Sequence, residues 1–342
     1  MMSDTMAKKQ GRLGDVLRMV LFLGIGALCI YWSLLKLDDS QKAAIWQSFL
    51  GADYRWVAAA MACCLLSHLV RALRWRLLFH PLGCMPSVNN TFGSVVIAYM
   101  ANLAFPRAGE VMRCATLRTS EGIPVEKSLG TVVTERAIDA LAFVIIVLLG
   151  FGTVKDLLYD SLSDKFDHLP NMAMIVGAAV FAAGLAFLLY KLFWKRMLHI
   201  GLFRKVDGLV RNLIASVKSI LQLGWKRTLL FIFYSVVIYS LYILGGLIIF
   251  HAFSETGGLG FDAAFVLYLY GSVGMTFSQG GIGVYPMLVQ WALDKFGVGM
   301  EVGTACGWLL WSSQQAIVIA VGVVYLVYFG LIKRKNKIIK TE

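Results

Sequence analysis

The chain has 342 residues, of which 58% are hydrophobic and only 15% charged, where a soluble domain carries about 45–50% apolar and about 25% charged residues. With a mean hydropathy of +0.72 and no Gly/Ser linker or low-complexity tract, the composition excludes an ordinary soluble domain and predicts one transmembrane domain over residues 1–342. The formal charge of +12 sits beside apolar spans rather than on a polar domain, which argues against nucleic acid as a partner and for Lys and Arg held on the cytoplasmic side, near anionic headgroups.

The N-terminal tail, with Lys8, Lys9 and Arg12, leads into an apolar run from Leu13 to Leu35. That run is too long for the core of a signal peptide and no A-x-A site follows it, so a retained first helix is expected. Asp38 to Gly51 is polar and amphipathic, as in a connector lying along the surface. Crossing about 30 Å of hydrocarbon takes about 20 apolar residues. Tyr54 to Phe79, Lys127 to Phe151, Met172 to Phe193, Lys226 to Phe250 and Val302 to Leu331 also meet that length. Loop charge alternates with these six crossings. The tail, the Arg71-Arg74-Arg76 end of the second span, the loop from Lys191 to Arg227 and the tail from Lys333 are basic. On the other parity, Asp38 and Asp39, the run Asp156, Asp160, Asp164 and Asp167, and Glu255 make the loops acidic. The positive-inside bias then puts both termini in the cytoplasm, in a multi-pass protein of the cytoplasmic (inner) membrane.

Two apolar stretches remain. Val88 to Ala104 breaks at Phe105-Pro-Arg-Ala-Gly-Glu110 and resumes as a polar helix to about Thr119; Ala263 to Phe277 breaks at Ser278-Gln-Gly-Gly-Ile-Gly283 and resumes from Pro286 to Phe296. Their limbs are too short or too polar to span, so each is expected to be a re-entrant helical hairpin. Irregular backbone at membrane depth is tolerated only where protein buries it or where it lines a wet cavity. By parity the first hairpin opens from the cytoplasm and the second from outside. Helix, hairpin, helix thus occurs twice with opposite orientation, in repeat A at about 54–152 and repeat B at about 226–331. A faint echo accompanies this: Phe105 and Gly109 align with Phe277 and Gly281, and Gly122-Ile-Pro-Val-Glu126 resembles Gly297-Val-Gly-Met-Glu301, three residues out of that register. The fold class is therefore an all-α polytopic membrane protein: six spanning helices plus two re-entrant hairpins in an inverted repeat, the arrangement of alternating-access transporters with the site at the breaks.

The candidate site residues lie at those breaks. Pro106 ends one limb, Gly109 lets the backbone turn, and Arg107, Glu110 and Arg113 follow within about a turn. A helix start beside Arg107 offers unpaired N–H groups and a positive dipole end, suited to phosphate; a loop tied down by its own Arg–Glu pairs is the alternative. Glu135, Arg136 and Asp139 lie inside the third span, where each charge costs about 2.5–3.5 kcal/mol, so they either pair with the hairpin arginines or line a wet cavity. Gly280, Gly281 and Gly283 permit close approach by another helix or by a headgroup. Arg71, Arg74 and Arg76 read as interfacial side chains reaching to the headgroups, His68 as a small polar contact within the bundle, and Trp32, Trp56, Trp75 and Trp225 as interfacial anchors. The six cysteines form no C-x-x-C and no zinc set, so neither a disulfide nor a metal is expected. H-E-x-x-H, G-x-S-x-G, a Walker A lysine loop and G-x-G-x-x-G are all absent; no enzyme activity and no cofactor are expected.

Asn102-Leu-Ala-Phe-Pro-Arg-Ala-Gly-Glu110, with Arg113, Val133, Glu135-Arg136 and Asp139, resembles the N-terminal half-signature of the lysylphosphatidylglycerol synthase transmembrane region, a flippase-like family. Gly280-Gly-Ile-Gly283 resembles its second half-signature, although Ser278 and Gln279 precede it where the family usually has proline, and Pro286 stands where an acid is usual. The resemblance implies translocation of an anionic or phosphate-bearing lipid between leaflets, with lipid headgroups as partners. Its alternative is a non-transporting accessory role beside an envelope glycosyltransferase or lipid-modifying synthase. Bifunctional members carry a soluble aminoacyl-transferase domain after the membrane part; the sequence ends soon after its last span, so lysyl transfer is not expected.

Overall fold

The computed structural model describes residues 39–105, 108–150 and 218–339. The predicted spans at 13–35 and 172–193, most of the basic loop after the latter, and Pro106 and Arg107 lie outside these residues. Every regular element among the described residues is helical: α1 (Asp39–Gly51), α2 (Tyr54–Leu77), α3 (Val88–Ala104), α4 (Ala108–Glu121), α5 (Val125–Leu149), α6 (Trp225–Phe250), α7 (Phe261–Phe277), α8 (Val284–Asp294) and α9 (Met300–Ile339). The chain falls into two units, Met1–Val132 with Leu223–Glu342, and Val133–Gln222; the packing described next lies within the first.

Tyr54–Leu82, Trp225–Phe250 and Met300–Leu331 are long and apolar enough to cross a membrane. Helix α5 has the length, 25 residues or about 40 Å at 1.5 Å per residue, but Glu135, Arg136 and Asp139 interrupt its apolar surface.

The series α2–α5 and α6–α9 share one order: long helix, 17-residue helix, break, short helix, long helix. Both 17-residue helices end in one extended residue, Phe105 (φ −139°) and Ser278 (φ −131°). A left-handed glycine follows each short helix, Gly122 (φ 70°) directly after α4 and Gly297 (φ 75°) three residues after α8. The next residues, Ile123 and Val298, are both buried, and Glu126 and Glu301 fall in the first turns of α5 and α9. The shared part of the sequence echo is a glycine placed where a Cβ would be strained, although the turns differ: Gly122 N–H bonds the Arg118 carbonyl and Gly297 N–H that of Asp294.

Helices α2 and α6 run antiparallel. The Asp53 N–H donates to the Ala252 carbonyl at 2.9 Å at one end, and Arg74 Nη1 donates to Ser235 Oγ at 3.1 Å toward the other. The first hairpin, α3–α4, is closed along its length. Gly109 N–H donates to Asn102 Oδ1 at 2.8 Å beside the break, and Thr116 Oγ1 to Ser94 Oγ at 2.9 Å midway. At the base, the Glu121 carboxylate accepts from Ser87 N–H at 2.9 Å and Asn90 Nδ2 at 2.7 Å. In the second hairpin, α7–α8, the backbones approach so closely that a Cβ on Gly274 would stand 2.8 Å from Cα of Tyr285. Small residues at such contacts are how membrane helices gain packing without a hydrophobic driving force.

The two hairpins are based at opposite ends of α2. At its C-terminal end Arg76 Nε donates to the Pro86 carbonyl at 2.7 Å, just before α3, and Trp75 Nε1 donates to Thr131 Oγ1 at 2.9 Å. At its N-terminal end Ala52, Val57 and Ala60 share one buried core with Ala263, Ala264, Leu293 and Val298 at the base of α7–α8. Trp56 and Trp225 are exposed as interfacial anchors would be, but Trp75 is fully buried. Its indole faces the start of α5 rather than a headgroup layer.

Burial pushes the Glu121 carboxyl up, but hydrogen bonds from Ser87 and Asn90 and the nearby Arg76 charge together hold it below the usual glutamate range. A carboxyl depressed in the folded state stabilises above its unfolded pKa and loses that contribution as pH falls through the folded value. Glu121→Ala is expected to cost about 1–2 kcal/mol, discounted for partial exposure. Thermal unfolding in detergent should show that gap at pH 7 and show it closing below about pH 4.

Candidate functional site

The tips of the two hairpins meet. Helix α3 ends with carbonyls that have no intrahelical partner, and Gln279 supplies one: its Nε2 donates to the Asn102 carbonyl at 2.8 Å and approaches that of Leu103 at 3.4 Å. Gln279 is buried. Beside it Gly280 (φ 57°) lies against Leu103, where a Cβ would stand 2.6 Å from Cδ2. Trp311 Nε1, on α9, donates to the Gly280 carbonyl at 2.8 Å. A Cβ on Gly281 (φ 80°) would come 2.5 Å from Met275 Sδ, and Gly283 (φ 73°) precedes α8. These glycines are set by left-handed backbone, and the groups that closely approach Gly280 and Gly281 belong to the protein. Ser278 Oγ is buried at the same tip and has no hydrogen-bond partner among the described residues.

On the first tip, Arg107 lies outside the described residues. Gly109 is buried, and a Cβ there would overlap the Ala98 carbonyl. Asn102 joins the two halves of the site: its side chain caps Gly109 and its carbonyl receives Gln279. Glu110 is half-buried. Arg113 is buried, its guanidinium 4.5 Å over the Trp75 ring. In α5, Glu135 is fully buried, Asp139 half-buried and Arg136 exposed, so the i, i+4 carboxylates share the more buried face. Those three residues belong to the second unit. Pro286 packs its backbone against α9, 2.7 Å from where a Cβ on Gly307 would stand.

Two residues expected at the interface turn inward instead. Arg71 and Arg74 are 5% and 0% exposed. Arg71 Nη2 donates to Tyr242 OH at 3.2 Å, and its guanidinium lies 5.9 Å over the Tyr99 ring. The Tyr99 ring is also 4.3 Å from that of His68. The Tyr242 ring stacks on that of Tyr268 at 6.2 Å and 13°. Arg74 lies 5.2 Å over Phe231. Because Tyr99 and Leu103 are four residues apart on α3, they share a face, and the Arg71 cluster sits about one helical turn from the tip junction. Asn102, Gln279, Trp311 and Arg71 were not among the candidate site residues. The signal for Arg71 was the helical spacing of His68, Arg71 and Trp75, which stripes one face of α2. His68 does make a weak polar contact in the bundle, 3.7 Å from Cys64 Sγ. Among the described residues no group of three His, Cys, Asp or Glu side chains is placed to hold a metal ion.

The family described as the lysylphosphatidylglycerol synthase TM region matches residues 19–335. The chain is also similar to the glycosyltransferase AglD of Haloferax volcanii, 30% identical over 109 residues, a stretch of 31% of this chain and 17% of that protein. The match therefore spans less than a fifth of that relative's length. No solved structure matches. With nearly its whole length matched and three of its described helices long and apolar enough to cross a bilayer, the chain is a membrane protein that belongs to the lysylphosphatidylglycerol synthase transmembrane region family.

Proposed function

We propose that the protein is a flippase-like transporter, without enzymatic activity of its own, that moves an anionic or phosphate-bearing lipid between the leaflets of the cytoplasmic membrane. One observation carries this reading: two interrupted hairpins, based at opposite ends of α2, touch tip to tip through Asn102 and Gln279. Taken as six crossings with both termini cytoplasmic, the series α2–α5 and α6–α9 form an inverted repeat. The first hairpin then enters from the cytoplasm and the second from outside, and the breaks fall at membrane depth where such repeats place their substrate.

In this reading Arg107 and the start of α4 receive the headgroup from the cytoplasmic side. Asn102 already occupies the Gly109 N–H, which leaves Arg107 and the dipole of α4 to attract the anion. The glycine hairpin gates the outer side. Across the junction the neutral hydrogen bond from Gln279 contributes about 1 kcal/mol, weak enough to open on every cycle.

A second reading, an accessory subunit for an envelope glycosyltransferase or lipid-modifying synthase, is favoured by the similarity to a stretch of AglD. A stoichiometric partner on purification, with no translocation by the isolated chain, would select it.

Purified protein in liposomes with fluorescent phosphatidylglycerol, phosphatidylethanolamine or polyprenyl phosphate, read by dithionite quenching, tests transport. Headgroup-selective translocation is expected, and Arg107→Ala is expected to abolish it without loss of folded protein; normal transport by that variant would remove the headgroup role. Gln279→Ala, which releases about 1 kcal/mol from the junction, should raise the translocation rate about fivefold. An unchanged or slower rate would mean that the junction is not the gate.

A further inference from the structure

Resting on that transport reading, we infer that the first hairpin, α3–α4, is the moving part of the gate. It parts from the glycine tip by shearing along a seam with α9, while the second hairpin and α9 stay together as a fixed body.

The buried core treats the two hairpins differently. One cluster joins Ala60 of α2, Phe250 of α6, Leu267 of α7, Leu293 of α8 and Leu310 of α9. Among its described members none comes from α3 or α4. Displacing the second hairpin would therefore pull apart a core shared by five helices, and displacing the first would leave that core intact. The backbone contacts agree. Gly303 and Gly307, one turn apart on α9, lie against Gln290 and Pro286, one turn apart on α8. A Cβ on Gly307 would stand 2.9 Å from the Pro286 Cα, and one on Gly303 would stand 3.6 Å from the Gln290 Cα. Small residues let the two main chains meet directly, so no side-chain rotation releases this contact.

The first hairpin meets α9 through side chains. Asn89, Gly93, Met100 and Leu103 follow at spacings of four, seven and three, which lays them along one stripe of α3. The Tyr325 ring fills the hollow at Gly93, and its hydroxyl donates to Asn89 Oδ1 at 2.7 Å. Met100 fills the hollow at Gly322, where a Cβ would stand 3.2 Å from the Met100 Cβ. At the end of the stripe Leu103 lies against Gly280 of the opposite tip. A tyrosine ring and an unbranched thioether withdraw from such hollows by changing rotamer, and packed helices shear past one another by small slides of this kind. Hydrogen bonds from Gly109 to Asn102, Thr116 to Ser94 and Ser87 to Glu121 carry α3 and α4 as one piece.

Two engineered disulfides, each in a background free of other cysteines, test the assignment in liposomes containing fluorescent phosphatidylglycerol. Met100→Cys with Gly322→Cys bridges the seam at a spacing near the Cβ separation of a disulfide, about 3.5–4.5 Å, and removes the thioether that fills the hollow. Gln290→Cys with Gly303→Cys bridges the fixed body. Oxidation of the seam pair is expected to slow translocation about tenfold or more, with recovery on reduction, and oxidation of the body pair to change it by less than about twofold. Full-rate translocation with the seam bridged, or arrest with the body bridged, would overturn the assignment. Spin-label distances in nanodiscs give a readout independent of transport, and decide if the seam pair does not fold. The labels sit at exposed Val111 and Leu326 across the seam, and at exposed Trp291 and Leu326 within the body. Two distance populations are expected across the seam and one within the body; one population across the seam would overturn the shear. Two populations across the seam in a protein that moves no lipid would sink the transport reading and leave the seam standing. Translocation that the seam bridge does not slow would do the reverse.

Discussion

A helix that stops inside a bundle leaves its last carbonyls without intrahelical partners, and each must find another donor. Helices α3 and α7 both stop after 17 residues, about 25 Å of rise, short of a full crossing. The fold settles the first of these ends by bringing the second against it, so that the Gln279 amide serves the carbonyl of Asn102. Much of the central architecture follows from that contact. Gly280 and Gly281 adopt left-handed backbone so that the tip can pack flat against Leu103 and Met275, Trp311 bonds the carbonyl that the turn exposes, and Asn102 closes the opposite tip through Gly109.

The same economy governs charge. Arg71, Arg74, Arg113 and Glu135 are all buried, although the chain has ample basic surface on which to place arginines. Where contacts are resolved, each guanidinium is held by aromatic faces and hydroxyls: Tyr99 and Tyr242 for Arg71, Phe231 and Ser235 for Arg74, Trp75 for Arg113. Cation–π contacts strengthen when water is excluded, which offsets part of the cost of burying these arginines.

The hairpins were legible in the sequence almost to the residue. The limb expected at Val88 to Ala104 is the helix observed, and the second break falls at Ser278, because proline, clustered glycine and loss of hydropathy are local signals that packing rarely overrides. The meeting of the tips was not. Gln279 and Asn102 are 177 positions apart, and an amide before a glycine run carries no sign of its partner. Nor did the sequence separate inward from snorkelling arginines. At the end of an apolar span the two look alike, and the difference lies in α6, which brings Ser235 and Tyr242 alongside. For Trp75 the deciding neighbour is Thr131 at the start of α5.

The central claim is that the two hairpins enter the bilayer from opposite faces and meet within it. Sidedness of their bases tests it most directly, by single-cysteine labelling with a membrane-impermeant maleimide in oriented vesicles. In a background otherwise free of cysteine, native Cys84, just before the first hairpin, and Gly258→Cys, just before the second, would each be exposed to the reagent from one side and then, separately, from the other. The account predicts that Cys84 reacts only from the cytoplasmic face and position 258 only from the outer face. Labelling of both from one face would contradict the inverted repeat and, with it, the transport reading built on the meeting of the tips.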